Sequence, residues 1–491
     1  MPSTLSSRPL PFSSTQLEAL RARVNGRVFV PGDDGYDTAR QTWNVTTFDQ
    51  RPAIVAMPSI AADVASAVDF AREHDLRIAV QSGGHGHPRP ANDALLVNFV
   101  NMRGVRITSA AALSDSPGRS RAAGTARVEA GAKWSDVIAA AHPHGLAPLN
   151  GFAGTVGVSG YTLGGGIGWL VRQYGAAAGS LRSADVVTAD GRLLQVDDWN
   201  HSDLFWGLRG GGGNFGIVIA FECDLYPVKE IFGGFVAYPL AQGKEARAKQ
   251  ALRAYAQWTK TVPDTLTSAV RLVHYPPAPA IPEPLRGASA IAIMACSTGS
   301  GADGEALVEP LRSLGTPLLD TFRTMPYAQI ATIASDPPEA PPLFTFTNGG
   351  GLSDMSSDVI DALLRIAGDR AAGIFVVEAR HVGGALARQP EDAMPFGFRS
   401  PWFVSALATA PSPPALEGGK RSVAALFEAL EPALTGELLI NSLDPSTTSP
   451  NVTRAAYSEE NYRRLVALKD KYDPANVFRF NHNIPPSTDA A

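Results

Sequence analysis

The segment Ile78-Ala-Val-Gln-Ser-Gly-Gly-His-Gly-His87 holds the first residues that could do chemistry. A run of apolar and small residues ends in Ser82-Gly83-Gly84-His85-Gly86, the pattern of a buried strand entering a tight turn. Gly83 and Gly84 have no Cβ, so the chain can turn with positive φ and its backbone can come close to a ligand. His85 then stands at the tip with a nucleophilic ring nitrogen, suited to contact or bond a cofactor held in an anion-binding turn. The alternative is a surface turn with an incidental histidine. His87, two residues on, reads as structural rather than catalytic.

A second block is denser in glycine: Gly151-Phe-Ala-Gly-Thr-Val-Gly-Val-Ser-Gly160, then Leu163-Gly-Gly-Gly-Ile-Gly168. Such a density disfavours a helix and suits backbone wrapped round a ligand, where successive N–H groups form concave anion sites. The entropy that glycines lose on folding is commonly offset by binding. In a third block Gly211, Gly213 and Gly216 match G-x-G-x-x-G. A dinucleotide fold needs a strand before that motif and a helix after it. Here a helix-like Leu204–Leu208 precedes and a strand, Ile217–Tyr226, follows, so a nicotinamide Rossmann domain is excluded.

The elements that must position these residues fit a chain of 491 residues, long enough for two to four domain-sized units. Hydrophobic content of 45% and charged content of 18% are ordinary for a globular protein with a sizeable core. A net charge of −5 gives no basis for nucleic-acid or anionic-membrane binding. The two cysteines, Cys223 and Cys296, can build neither a disulfide framework nor a zinc site, and no metal is expected. The first dozen residues lack an apolar signal core, and no run reaches the roughly 18 apolar residues of a membrane span. A soluble cytoplasmic protein without a membrane partner is the expectation.

The periodicity predicts a short helix at Gln16–Val24 and a strand at Arg51–Pro58. Ser59 should cap a helix over Ala61–His74. Strands follow at Leu76–Val80, Ala94–Val100 and Ala126–Ala130, then a helix at Trp134–Ala141, together an α+β pattern. Residues 109–124, rich in Ala, Ser, Gly and Arg, read as a loose excursion. Ala184–Val196 reads as a hairpin turning at Asp190-Gly191. Beyond Tyr226-Pro227 strands alternate with longer helices such as 243–260 and 356–367, with proline-rich loops at 275–284 and 336–342, as in an antiparallel sheet covered by helices. A helix at Glu459–Tyr472 leads into a compact end.

Four blocks in this order resemble the covalent flavoprotein oxidases with a vanillyl-alcohol-oxidase-type (PCMH-type) FAD domain, specifically the berberine-bridge-enzyme-like family. They are Ser82–His85, Thr155–Gly168, Asp203–Gly216 and Tyr472-Asp-Pro-Ala-Asn-Val-Phe478. The resemblance implies a lead-in at 1–49, an FAD-binding domain at 50–228, a substrate-binding domain at 229–449 and a segment at 450–491 that returns to the FAD domain. It implies that His85 is bonded to the 8α-methyl of FAD. Ser82, Gly83, Gly84 and Gly86, with Thr155, Val156, Gly157, Gly160, Gly164, Gly165 and Gly166, would cradle the pyrophosphate and ring. Gly216 and Val218 would lie along the flavin and adenine, and Asn481 and Asn483 would return to the isoalloxazine. Many members have a second link from a cysteine in Gly-x-Cys-x-Thr-Val-Gly; here Ala153 stands there, so the link is single, as in the nicotine-oxidase-like branch. Gln81 replaces an arginine common before Ser-Gly-Gly-His. Val156, three positions after the cysteine site, would leave room for O2 at the flavin.

Flavin accepts hydride, and the protein must hold a substrate C–H over it. The strand Ile374–His381 puts Glu378 and Arg380 on one face and His381 on the other. By the resemblance Glu378 is a base or orienting group, with Arg380 beside it, and Tyr457 occupies the position of a site tyrosine. A phenolate base there needs a pKa below the usual 10 or so. The alternatives are a solvent-facing Glu–Arg pair and a packing aromatic. The reading is an oxidase of a small alcohol, amine or heterocycle that passes electrons to O2. An FAD-linked dehydrogenase, a sugar oxidase and a flavin-loaded protein without turnover remain open.

Overall fold

The computed structural model describes residues 10–86, 89–109, 122–240, 245–337, 339, 341–444 and 449–489. His87 and most of the Ala/Ser/Gly/Arg-rich stretch lie outside them, as do the first residues predicted for the helix at 243–260. Three sheets carry the described chain. The first is four-stranded, ordered β1-β2-β4-β3, with β1 Arg27–Phe29, β2 Ile54–Met57, β3 Ile78–Gln81 and β4 Leu95–Asn98. Both β2 and β3 run parallel to β4, which requires crossovers; the helix Ala61–Glu73 makes the one between β2 and β3. That helix buries Val64, Ala67, Val68 and Ala71, one stripe at helical spacing. Its start differs from expectation. Ser59 lies outside the cap, and the buried Asp63 carboxylate accepts the backbone N–H groups of Ser59, Ile60, Asn25 and Gly26. The acidic side chain of the third helical residue reaches back to amides of the incoming chain, so the helix start is fixed without a serine cap.

The second sheet is antiparallel, ordered β5-β6-β9-β7-β8: β5 Val105–Ser109, β6 Gly124–Glu129, β7 Leu181–Val187, β8 Leu193–Asp197 and β9 Ile217–Leu225. The predicted hairpin is β7–β8, with Gly191 at φ +82° in its turn. Between β6 and β7 the glycine block contains a helix, Val158–Leu163, where a helix was not expected. Only Gly160 interrupts it, and burial of Val158, Thr162 and Leu163 outweighs a propensity loss of about 1 kcal/mol.

The third sheet has eight antiparallel strands. Its main order is β13-β10-β12-β11-β16-β17-β15, with β14 also on β10. The strands are β10 Glu230–Pro239, β11 Leu266–His274, β12 Ser289–Ser297, β13 Leu319–Asp320, β14 Arg323–Pro326, β15 Phe344–Leu352, β16 Ile374–His381 and β17 Trp402–Ala410. Alternation gives it two different faces. Val270, Leu272, Ile291, Ile293, Val377 and Ala379 pack with Leu252, Ile360, Leu363, Val423 and Leu426 of the helices Glu245–Trp258, Ser357–Ala367 and Pro413–Leu430. Ala269, Val273, Ala290, Ala292 and Met294 face the other way, into one core with Trp134, Phe152, Trp169 and Val218 of the preceding unit. Each fully buried Val, Leu or Ile contributes about 1.5–3 kcal/mol, so the helix layer fixes the sheet while its other face meets the glycine block.

The C-terminal helix Glu459–Tyr472 is capped by Ser458, whose Oγ accepts from Asn461 N–H. Near its end Lys469 is fully buried and donates to Asp473 at 2.7 Å, to the Asn214 carbonyl at 2.9 Å and to the Phe478 carbonyl at 3.0 Å. Asp473 accepts in turn from Val477 and Phe478 N–H, and the Val477 carbonyl accepts from Ile78 at the start of β3. One buried ion pair thus ties the chain end to the third glycine block and to the first sheet. Breaking a buried pair from one side costs about 3–5 kcal/mol. Lys469→Met should therefore lower the urea-unfolding free energy by about 3 kcal/mol; an unchanged midpoint would contradict this role.

Candidate active site

His85 follows β3 in the predicted turn, and backbone approach defines its base. A Cβ on Gly83 would stand 2.7 Å from Gly157 Cα, and one on Gly157 would stand 2.5 Å from Gly83 N and 2.8 Å from Ser82 Oγ. Neither position has space for any other residue. Ser82 Oγ donates to the Ala130 carbonyl at 2.5 Å, and Ser159 Oγ donates to the same oxygen at 3.2 Å, locking both glycine segments to the end of β6. Gly84 turns with φ +66°. Gly86 and Gly160 face open space.

The His85 ring stacks on Trp43, with centroids 4.3 Å apart. Gln81 explains how Trp43 gets there. Its amide donates to the Gln41 carbonyl at 2.8 Å and accepts from Gln50 at 2.9 Å, clamping the strand end to residues 41–50, and Trp43 N–H donates to Gly84 O. An arginine at 81 could not accept from Gln50. His85 Nδ1 is buried without a hydrogen-bond partner. Burial lowers the ring's pKa and Lys133 adds to this, against the opposing charge of Asp336, so the imidazole is neutral at pH 7. Thr155 Oγ1, Asn481 Oδ1 and Asn483 Oδ1 are also buried without partners. Asn481 is oriented by donating to the Gly213 and Phe478 carbonyls. A cradle that admits no Cβ and these orphaned polar atoms fit the flavin cofactor the sequence implies.

Other expected cradle residues also make close contacts within the protein. A Cβ on Gly164 would meet Asn441, one on Gly165 would meet Phe396, and one on Gly166 would meet Tyr161, each within 2.5 Å. The N–H groups of Gly164 and Gly165 already donate to Gly160 and Thr162 carbonyls. Gly216 admits Val186 of β7, and Val218 is buried in the main core. Val156 is half-buried against that core, its carbonyl accepting from Trp134 N–H at 3.0 Å.

Glu378 and Arg380 do share the inner face of β16, with Arg380 Nε donating to Glu378. Arg271, opposite Glu378 on β11, donates through Nε to the other carboxylate oxygen and also reaches the Ala334 carbonyl and Asp336. Burial alone would raise the Glu378 pKa; Arg271 and Arg380 outweigh it and bring it down to about 2. Glu378 is buried and Arg380 half-buried, so the pair does not stand in open solvent. The Arg380 guanidinium lies 4.0 Å over the Phe152 ring, which stacks on Trp169 at 3.9 Å, so the sheet of the second unit touches the glycine block of the first. His381, on the far face, packs at 4.9 Å on Trp402 and against Arg172, away from the glycine cradle. Tyr457 donates to the Gly210 carbonyl at 3.0 Å, and burial raises its pKa, opposite to what a phenolate base requires. Arg271 and Phe152 were not singled out from sequence. A charge in the apolar alternation Ala269-Val-Arg-Leu-Val273 was the available signal for Arg271.

Comparison with known proteins agrees with this architecture. Residues 52–197 match the FAD binding domain family, and residues 440–485 match the berberine and berberine-like family. The chain is 27% identical over 469 residues to an FAD-linked oxidoreductase of Dictyostelium discoideum, covering 94% of this chain and 95% of that one. It is 26% identical over 478 residues to (R)-6-hydroxynicotine oxidase of Paenarthrobacter nicotinovorans, covering 94% and 97%. The crystal structure of 6-hydroxy-D-nicotine oxidase from Arthrobacter nicotinovorans superposes with a TM-score of 0.77 at 26% identity, over 94% of this chain and 98% of that one. No helix among the described residues is long and apolar enough to cross a membrane. The chain therefore carries an FAD binding domain and a berberine-like C-terminal segment, is similar over nearly its whole length to FAD-linked oxidoreductases of the berberine-bridge-enzyme-like family, and is an FAD-linked oxidoreductase.

Proposed function

We propose that this enzyme is an oxidase of a small alcohol, amine or heterocycle, with FAD bonded to His85 alone and O2 as electron acceptor. The observation that carries the reading is the buried, unpartnered, neutral imidazole of His85 beside a glycine contact with no room for a side chain. A neutral ring nitrogen keeps its lone pair, as bond formation to the flavin methyl carbon requires. Ala153 has no sulfur, so a second link is impossible there. Bound FAD supplies hydride acceptance.

The chain's own residues divide the remaining work. Residues 50–228 with 450–491 hold the cofactor, and 229–449 contribute the substrate-facing sheet, so substrate binds between them, where ligand pockets commonly lie. Thr155 offers a hydroxyl and Asn481 and Asn483 offer amides to the flavin. Glu378 serves as the orienting group: at neutral pH it is a carboxylate with both oxygens engaged by guanidinium groups, which fixes Arg271 and Arg380. Tyr457 stays a neutral phenol and closes the wall next to Gly210. Val156 leaves a space at the flavin for O2.

Two outcomes test this. Wild-type protein precipitated with acid should retain its yellow colour in the pellet, whereas His85→Ala should release its flavin to the supernatant; free flavin from the wild type would overturn the link. Val156→Leu should slow reoxidation of reduced enzyme by O2 on the order of tenfold, an effect of about 1.4 kcal/mol on the barrier, while flavin reduction by substrate is nearly unchanged. Stopped-flow measurement of the two half-reactions separates this from a packing role, in which both shift together or neither does.

A further inference from the structure

Arg380 presents a guanidinium whose surroundings leave one edge unused. The Phe152 ring covers the guanidinium at 4.0 Å, and Phe403, the paired neighbour of Arg380 on β17, lies 5.9 Å away. Its Nε–H is engaged by Glu378. The four N–H groups on its terminal nitrogens make no hydrogen bond within the described residues, although the side chain is only 22% exposed. Aromatic faces cannot accept in-plane hydrogen bonds, so the partly exposed terminal edge is left for solvent or a ligand. The neighbouring charges do not supply one. Glu378 is shared with Arg271, Asp336 pairs with Arg271, and the Tyr161 phenol is kept neutral by burial.

With the Phe152 ring over the guanidinium and the Nε–H engaged by Glu378, the terminal edge is the part left for a ligand, and a planar pair of oxygens matches its fork. We infer that Arg380 binds a carboxylate of the substrate, so that the enzyme oxidises a small alcohol or amine that also carries an acid group. This rests on the proposed oxidase reading, because it places the acid group against the same sheet face that meets the glycine block. Arg380 then determines specificity, and Glu378 positions it. Arg–carboxylate forks are bidentate and short, whereas a lysine supplies only a point charge.

The test uses benzoate and its neutral isostere benzamide, titrated into the flavin-loaded enzyme and followed by the visible absorbance of the flavin. Benzoate should bind at least roughly tenfold more tightly than benzamide, the range of a charge-assisted over a neutral hydrogen bond. Arg380→Met should bring benzoate to the level of benzamide and leave benzamide unchanged. Arg380→Lys, which retains the charge next to Glu378, should lose most of the benzoate preference; it decides the matter if the methionine variant does not fold. Equal binding of the two probes by wild type, or undiminished benzoate preference in a folded Arg380 variant, would overturn the assignment, as would happen if a flavin carbonyl takes the Arg380 edge. A purified protein without flavin would instead sink the oxidase reading, and calorimetric titration of the same two probes would still decide what Arg380 binds.

Discussion

Two backbone segments meet at Gly83 and Gly157 with no room for a Cβ on either. This contact joins units of different construction. Gly83 follows a strand of the mixed four-stranded sheet, and Gly157 precedes the helix that comes between β6 and β7 of the antiparallel five-stranded one in the chain. Ser82 and Ser159 anchor both sides to one carbonyl, that of Ala130. Everything else at the site is arranged from there. The turn aims His85 at Trp43, Gln81 holds the 41–50 segment over the ring, and the C-terminal segment is brought in by Lys469 through Asn214 and Phe478.

The eight-stranded sheet solves a second problem, that of holding charges in a dry place. Its helix side is apolar and supplies the packing free energy. Its inner side carries small residues such as Ala269, Ala290 and Ala292, and among them the Arg271–Glu378–Arg380 group. Buried charges of this kind are weak contributors to stability, because desolvation consumes most of the Coulombic gain. Their persistence here is better understood through what they orient. Two guanidinium groups are fixed by one carboxylate, and one of them, Arg380, is held over the Phe152 ring of the glycine block.

Much of this was legible in the sequence, for identifiable reasons. Long periodic elements such as Trp134–Ala141 and Glu459–Tyr472 carry their own signals, and the hairpin at Asp190-Gly191 is marked by its turn chemistry. The Ser-Gly-Gly-His turn stood out because glycine and histidine types there are chemically specific. What failed was local inference in places decided by tertiary contact. The density of glycine argued against a helix at 158–163, yet buried Val158 and Leu163 hold one. At glycines 164 to 166, expected as cofactor contacts, the space a Cβ would take is filled by Asn441, Phe396 and Tyr161, neighbours that local sequence does not announce. Arg271 and Phe152 join the site only through cross-strand register and a stacking contact that no spacing rule reveals.

The central claim is that the cofactor is anchored to this cradle through one residue. Peptide mass mapping of the purified protein tests it most directly. The account predicts that the proteolytic peptide containing His85 is heavier by one FAD less two hydrogens, with fragmentation placing the addition on His85 and no flavin on the peptide containing Ala153. An unmodified His85 peptide from protein that carries bound flavin, or a modification at any other residue, would contradict it.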